Sequence, residues 1–180
     1  MEKVNESGTK QWTKQLGTSS DDRGNSVTTD SSGNIFVTGS TRGGLDGNIH
    51  SGNDNIFSGN DDIFLVKYNS SGTKQWTKQL GTSSGDWGNG VTTDSSGNIY
   101  MTGSTEGGLD GNTHFGEWDI FLVKYNSSGT KQWTKQLGTS SDDRGNGVTT
   151  DSSGNIYVTG STEGGLDGNT HFGEWDIFLV

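Results

Sequence analysis

Acidic, amide and imidazole side chains recur in this chain at spacings that could hold a cation. Asp-Gly-Asn falls at Asp46–Asn48, Asp110–Asn112 and Asp167–Asn169, each in a glycine-rich stretch. Carboxylate and amide oxygens in such loops are calcium ligands, so Asp46, Asn48, Asp110, Asn112, Asp167 and Asn169 are the candidate metal residues. No full calcium motif surrounds them, and the same tripeptide is ordinary turn chemistry. His50, His114 and His171 follow, with Glu117 and Glu174 three residues beyond the latter two. Imidazole with carboxylate suits a transition metal, but groups on successive repeats lie far apart unless they face a common axis, which favours solvated loop histidines. Phe115 with Trp118, and Phe172 with Trp175, offer stacking faces beside Glu117 and Glu174, a chemistry suited to carbohydrate. Ser58 and Asp61 stand in the aligned places of the first copy, and the competing reading is that these aromatics plug gaps between repeats. Asp21 with Asp22, and Asp142 with Asp143, are paired carboxylates, yet neighbours in a strand point opposite ways. No phosphate loop, zinc motif or nucleophile elbow occurs, and near-identical copies do not supply the distinct converging groups of an enzyme. Catalytic residues are therefore not expected.

The elements that must position these groups are all β. The 180 residues contain no alanine, proline or cysteine and 31 glycines, and only 25% are apolar. So few apolar residues with a net charge of −10 fall in the usual range of disordered chains, but here the apolar residues are clustered and strictly patterned. β-Branched and aromatic residues without alanine argue against helix throughout. The acidic balance disfavours nucleic acid and anionic membranes as partners and favours cations. The longest apolar run, Ile-Phe-Leu-Val, is too short to span a bilayer, and Met1–Glu6 lacks the apolar core of a secretory signal. Zero cysteine excludes disulfides and thiolate metal sites.

Internal repetition decides the architecture. Trp12, Trp76 and Trp133 close the same Ser-Gly-Thr-Lys-Gln-Trp motif, spaced by 64 and then 57 residues. The seven extra residues are a tandem copy, Ser51–Phe57 followed by Ser58–Phe64, as tolerated in a loop. Residues 67–123 and 124–180 differ only at Gly85/Asp142, Trp87/Arg144 and Met101/Val158. Each unit carries four short strand signals separated by Gly/Asn/Asp/Ser turns. In the third unit they are Thr130–Leu137, Asn146–Asp151, Asn155–Ser161 and the closing Asp176–Val180. The Asp-Ser-Ser-Gly-Asn segments at Asp30, Asp94 and Asp151 read as tight turns, the aspartate capping through its side chain and the glycine supplying positive φ. Large apolar residues on both faces of Asn-Ile-Tyr-Val-Thr-Gly and Asp-Ile-Phe-Leu-Val-Lys-Tyr suit strands between two neighbouring sheets. Small residues beside Val-Thr-Thr suit the strand nearest an axis.

Repeated four-stranded antiparallel units are the pattern of β-propeller blades. The motifs Asp-x-Phe-[Leu/Val]-x-Lys-Tyr-Asn-x-x-Gly-x-x-x-Trp-x-x-x-Leu-Gly and Val-Thr-Thr-Asp-Ser-Ser-Gly-Asn-Ile-Tyr-Val-Thr-Gly resemble the bacterial SBBP repeat, from Lys3 to Val180. That resemblance implies a propeller, found in large bacterial surface or secreted proteins, and it carries no catalytic residue. The expected blade order, inner to outer, is Val-Thr-Thr, Asn-Ile-Tyr-Val-Thr-Gly, Asp-Ile-Phe-Leu-Val-Lys-Tyr and Thr-Lys-Gln-Trp-Thr-Lys-Gln-Leu. Residues 17–80 and 81–137 then form full blades, 138–180 a blade lacking its outer strand, and 1–16 an orphan outer strand. Three blades fall short of the four that closure typically needs, and open edges invite strand pairing. The expectation is a six-bladed homodimer, closed head to tail through Lys10, Trp12, Lys14 and Leu16 of one chain and Ile177, Phe178, Leu179 and Val180 of the next. A nine-bladed homotrimer is the wider alternative, and an excised piece of a longer array the competing one. The function expected is a non-enzymatic, self-associating scaffold with an acidic rim for protein or carbohydrate ligands, with calcium as the one cofactor considered and a lectin as the alternative. A hydrolase is the remote one.

Overall fold

Alternating β-branched residues and Asx turns organise the chain into successive antiparallel sheets. The computed structural model describes residues 1–52 and 60–180. A hairpin of β1 (Glu2–Val4) and β2 (Lys10–Thr13) comes first. The first blade follows as β3 (Asp22–Thr29), β4 (Ile35–Thr41), β5 (Asp62–Tyr68) and β6 (Lys74–Leu80), hydrogen-bonded in that order. The second repeats it as β7 (Asp86–Thr93), β8 (Ile99–Thr105), β9 (Asp119–Tyr125) and β10 (Lys131–Leu137). The third has three strands, β11 (Asp143–Thr150), β12 (Ile156–Thr162) and β13 (Asp176–Leu179). The inner strands β3, β7 and β11 neighbour one another in that sequence, as the small residues predict. No closed sheet forms among the described residues. The first copy of the tandem seven-residue segment lies mostly at residues 53–59, outside the described residues.

The turns hold as the sequence predicts. Asp30, Asp94 and Asp151 each accept two backbone N–H groups and an asparagine amide, and Gly33, Gly97 and Gly154 take positive φ. Two boundaries differ from expectation. The inner strand of the third blade begins at Asp143, not Asn146, because a β-bulge absorbs the Gly145-Asn146-Gly147 run. The same bulge sits at Asn25 and Asn89. Each bulge thrusts the carbonyl before it towards the second strand, where a Cβ on Gly39, Gly103 or Gly160 would overlap the carbonyl oxygen of Arg23, Trp87 or Arg144.

The N-terminal strand is not an orphan. β2 spans Lys10–Thr13, without Lys14–Leu16, and pairs with β1 through Lys3–Trp12 and Val4–Lys10, as Lys67–Trp76 and Tyr68–Lys74 pair in the first blade. The hairpin is thus the outer half of a blade, placed ahead of the first. It packs there as any outer hairpin packs on the next blade. Trp12 lies over Gly72 as Trp76 lies over Gly129, and the Lys3 ammonium donates to the Ser70 carbonyl as Lys67 does to Ser127.

The core is interleaved between blades. Phe36, Ile63 and Leu65 of the first blade pack with Val91, Ile99, Met101, Leu109 and Phe121 of the second. On its other face the first blade buries Val37, Leu45, Phe64, Val66 and Tyr68, against which Leu16 packs. Polar ties cross the same boundaries. The bulged Asn25 amide donates to the Gly88 carbonyl and Asn89 to Gly145, both at 2.9 Å.

Buried carboxylates fasten the loops of each blade. Asp86 is fully buried and accepts from the Thr82 N–H, the Thr82 hydroxyl and the Thr105 hydroxyl, joining the loop that enters the blade to the end of its second strand. Asp22 and Asp143 repeat this with Thr18 and Thr41, and with Thr139 and Thr162. Burial pushes the Asp86 carboxyl up to about 7 against the pull of its three hydrogen bonds.

Two outcomes follow from this geometry. Gly103→Ala should lower the unfolding free energy by more than about 2 kcal/mol in urea titrations, since backbone must move to admit the methyl; an unchanged midpoint would contradict the close approach. A carboxyl whose folded pKa is raised favours the folded state below the unfolded value, and that contribution is lost as pH rises to about 7. Urea midpoints should therefore be lower at pH 8 than at pH 5 by an amount worth at most about 3 kcal/mol, a difference that Asp86→Asn shrinks. Equal wild-type midpoints would count against it.

Candidate functional site

The loops joining second to third strands and those entering each blade meet on one rim, and every residue singled out for binding lies there. A 3-10 turn, Leu45–Gly47, Leu109–Gly111 or Leu166–Gly168, shapes each long loop, its leucine buried as an anchor. Asp46, Asp110 and Asp167 sit in the left-handed region at φ of 54°, 52° and 51°, a conformation aspartate tolerates better than most side chains.

In the first two blades these aspartates are engaged by their own sheet. The Lys74 ammonium and the Thr77 hydroxyl donate to Asp46, and Lys131 and Thr134 to Asp110. Those donors hold the Asp46 and Asp110 carboxyls below the usual carboxylate range despite partial burial. Asn48, Asn112 and Asn169 turn their amides back onto the leucine carbonyls of the same turns. Asp46 and Asp110 thus lock their loops to the fourth strand, and the three asparagines lock the turns themselves. Among the described residues no lysine donates to Asp167, whose sheet has three strands. Among the described residues no three His, Asp or Glu side chains converge as a metal site. His114 lies 3.2 Å from Asp119, and His50 lies 2.7 Å from the Asn60 carbonyl.

The two aromatic pairs considered for carbohydrate are placed unlike one another. Trp118 is 8% exposed and stacks on Trp87, with ring centroids 4.5 Å apart. Trp175 packs under the Arg144 guanidinium at 5.2 Å. A buried, covered indole is not a platform for a sugar ring, so Phe115 stands exposed without an open tryptophan beside it in the second blade, whereas Phe172 and Trp175 of the third blade are 72% and 41% exposed. Glu117 and Glu174 are exposed. Asp61, in the tryptophan's place in the first blade, accepts the Trp87 indole N–H at 3.1 Å and faces Arg42 at 3.3 Å. The Asp61–Trp87 bond joins the first blade to the second, while the two tryptophan contacts lie within their own blades.

Two sets of residues escaped the sequence reading. Asp62 and Asp119 are fully buried at the start of the third strand. Gln79 and Gln136 donate to them at 2.9 and 2.7 Å, and also to the Gly43 and Gly107 carbonyls, while their own oxygens accept the Leu45 and Leu109 N–H. The only sequence signal is recurrence, since glutamine and aspartate stand at the same place in every unit.

The expected association residues divide. Trp12 and Leu16 are half-buried and pack within their own chain, on Gly72 and on the first blade's core. Lys10 and Lys14 are exposed, and Phe178 is half-buried. Ile177, Leu179 and Val180 are 92%, 72% and 52% exposed, whereas Ile63 and Ile120, the counterparts of Ile177, are 0% and 4% exposed. No helix among the described residues is long and apolar enough to cross a membrane.

Comparison with known proteins agrees with this geometry. The uncharacterized WD repeat-containing protein L264 of Acanthamoeba polyphaga mimivirus is 29% identical over 183 residues, covering 83% of this chain. The regulatory protein FlaEY of Caulobacter vibrioides is 27% identical over 126 residues, covering 64% of this chain. The chain spans 13% of the length of each of these curated relatives. The family model of the SBBP β-propeller repeat matches residues 11–46, 75–110 and 132–167. With antiparallel sheets of one repeated strand order under the three matches, the chain belongs to the β-propeller repeat family.

Proposed function

We propose that this chain is a non-enzymatic propeller scaffold that closes into a ring with a second copy of itself and presents an acidic rim for binding. The observation that carries this is the contrast between repeated faces. Ile177 is 92% exposed where Ile63 and Ile120 are buried, and Val27 is 62% exposed where its counterpart Val91 is 6% exposed. An apolar groove lined by Leu16, Val37, Leu45, Phe64 and Val66 opens between the hairpin and the first blade. It is the place of a blade's inner three strands, and the third blade of another copy has those three strands and no fourth.

The polar ties support the same pairing. Asn146 repeats Asn25 and Asn89, and in the ring its amide meets the Gly24 carbonyl of the second copy. Gly8 is exposed where Gly72 and Gly129 lie buried under Trp12 and Trp76, leaving Trp133 to cover it. Met1 exchanges two 2.8 Å hydrogen bonds with Lys14, the place that Leu65 takes on Lys78. In the ring Met1 and Glu2 therefore yield to Leu179 and Val180. Two copies give six blades, and three copies would give a wider nine-bladed ring.

Gly24 tests this without disturbing the single chain. A Cβ on Gly88 would overlap the Thr38 hydroxyl and lie 2.9 Å from Ile63 Cγ2, and one on Gly145 would lie 2.8 Å from the Gly103 carbonyl oxygen. On Gly24 it would meet only Val37 Cγ1, at 3.8 Å. Gly24→Val should leave the melting temperature of the isolated chain unchanged while raising the dissociation constant by more than about 100-fold in sedimentation equilibrium, the effect of a side chain forced into a packed contact. A wild-type chain monomeric at all concentrations, or an unaltered oligomer in the variant, would overturn the ring. Because the rim aspartates already hold lysine and threonine, neither calcium nor EDTA should move the melting temperature of the ring; a calcium-dependent rise in differential scanning calorimetry would reinstate the metal site.

A further inference from the structure

The ring reading leaves open how one copy recognises another in the correct register, and the repeated polar contacts of the outer strand supply an answer that rests on it. Within each complete blade, the glutamine of the fourth strand makes three hydrogen bonds to the blade's own long loop and third strand. Gln136 donates to the Asp119 carboxylate at 2.7 Å and to the Gly107 carbonyl at 3.1 Å, and accepts from the Leu109 N–H at 3.1 Å. Gln79 makes the same set with Asp62, Gly43 and Leu45 at 2.9, 3.1 and 3.1 Å. One turn of the pleat away, the lysine and threonine of the same strand clasp the left-handed aspartate.

The hairpin carries the donor half of this lock without the acceptor half. Lys10, Thr13 and Gln15 repeat Lys74, Thr77 and Gln79, and all three are exposed. The third blade carries the acceptor half without the donors. Asp167, the Gly164 carbonyl, the Leu166 N–H and Asp176 repeat Asp110, Gly107, Leu109 and Asp119, and Asp176 is half-buried where Asp62 and Asp119 are fully buried.

We infer that Gln15, Lys10 and Thr13 are the recognition residues by which one copy reads another. Gln15 engages Asp176, the Gly164 carbonyl and the Leu166 N–H of the second copy, and Lys10 with Thr13 engages its Asp167. An amide is the one short side chain that both donates to the carboxylate and carbonyl and accepts from the N–H. Apolar contact between blades tolerates sliding along the strand, whereas this three-point contact fits one register only. The occupant is a second copy because its exposed Lys10, Thr13 and Gln15 match these groups of the third blade one for one.

The test is the association of full-length variants at neutral pH, followed by sedimentation equilibrium. Gln15→Glu replaces the donor with an acceptor and sets a second carboxylate against Asp176. It should raise the dissociation constant at least about tenfold, the scale of a buried acceptor pair left without its donor. Adding Asp176→Asn to the same chain should restore association, since the new amide donates to Glu at position 15. Gln79→Glu, the same change inside the first blade, should lower the melting temperature without altering the dissociation constant. A wild-type chain that stays monomeric overturns the ring and the lock together. A wild-type dimer that Gln15→Glu leaves within about twofold overturns the lock and spares the ring. Weakening by Gln15→Glu that Asp176→Asn fails to restore overturns the pairing with Asp176.

Discussion

A sheet that is apolar on both faces cannot stand alone in water, and the rest of this chain answers to that constraint. Along β5, Ile63 and Leu65 turn into the core shared with the second blade, while Phe64, Val66 and Tyr68 turn the other way towards the hairpin. Each such side chain contributes about 2 kcal/mol when its face is covered and nothing of the kind when it is not. The blade is therefore not the folding unit in the energetic sense; the boundary between two blades is. The glycines of the inner strand, the bulged asparagines and the indole lying over a glycine all serve to bring successive sheets close enough for that burial. Where the boundary is missing, the same residues become the exposed ones.

Much of this was legible in the sequence because a repeat states its own alignment. The strand order from axis to periphery followed from residue size alone, and the Asp-Ser-Ser-Gly-Asn turns from the chemistry of aspartate and glycine. Three features were not legible. Glu2–Val4 is too short and too polar to announce a strand, and pairs only because β2 is held beside it. The inner strand's first residues, Asp143 to Gly145, look like loop because a bulge places glycines where a flat strand would have side chains. The buried aspartates looked like surface carboxylates, since nothing in a single unit shows that a threonine hydroxyl 19 residues away turns to meet each of them.

That last point explains why the rim was richer in candidate sites than in free chemistry. Asp46, Asp62, Asp110 and Asp119 are bound to lysine, threonine or glutamine, and the rim tryptophans are stacked on arginine or on one another. Groups already matched in charge and hydrogen bonding have little to offer a metal ion or a sugar. Unmatched groups concentrate instead at the two open sides of the array, where a repeat has been left without its neighbour. Sequence recurrence marks both kinds of residue equally, and only the fold separates them.

The heptapeptide Lys-Gln-Trp-Thr-Lys-Gln-Leu occurs three times without a single change, at Lys10–Leu16, Lys74–Leu80 and Lys131–Leu137. Its neighbour Asp-Ile-Phe-Leu-Val is likewise invariant at Asp62, Asp119 and Asp176. Side-chain identity consequently says nothing about which outer strand belongs to which blade; only the short tether of each hairpin does, Asn-Glu-Ser-Gly-Thr in the first and Asn-Ser-Ser-Gly-Thr in the others. During refolding a strand can dock on the wrong partner, in its own chain or another, with every local contact satisfied. The yield of correctly connected molecules is then governed by protein concentration and tether length, and slow rearrangement of fully paired but misconnected blades becomes the characteristic kinetic trap of such an array.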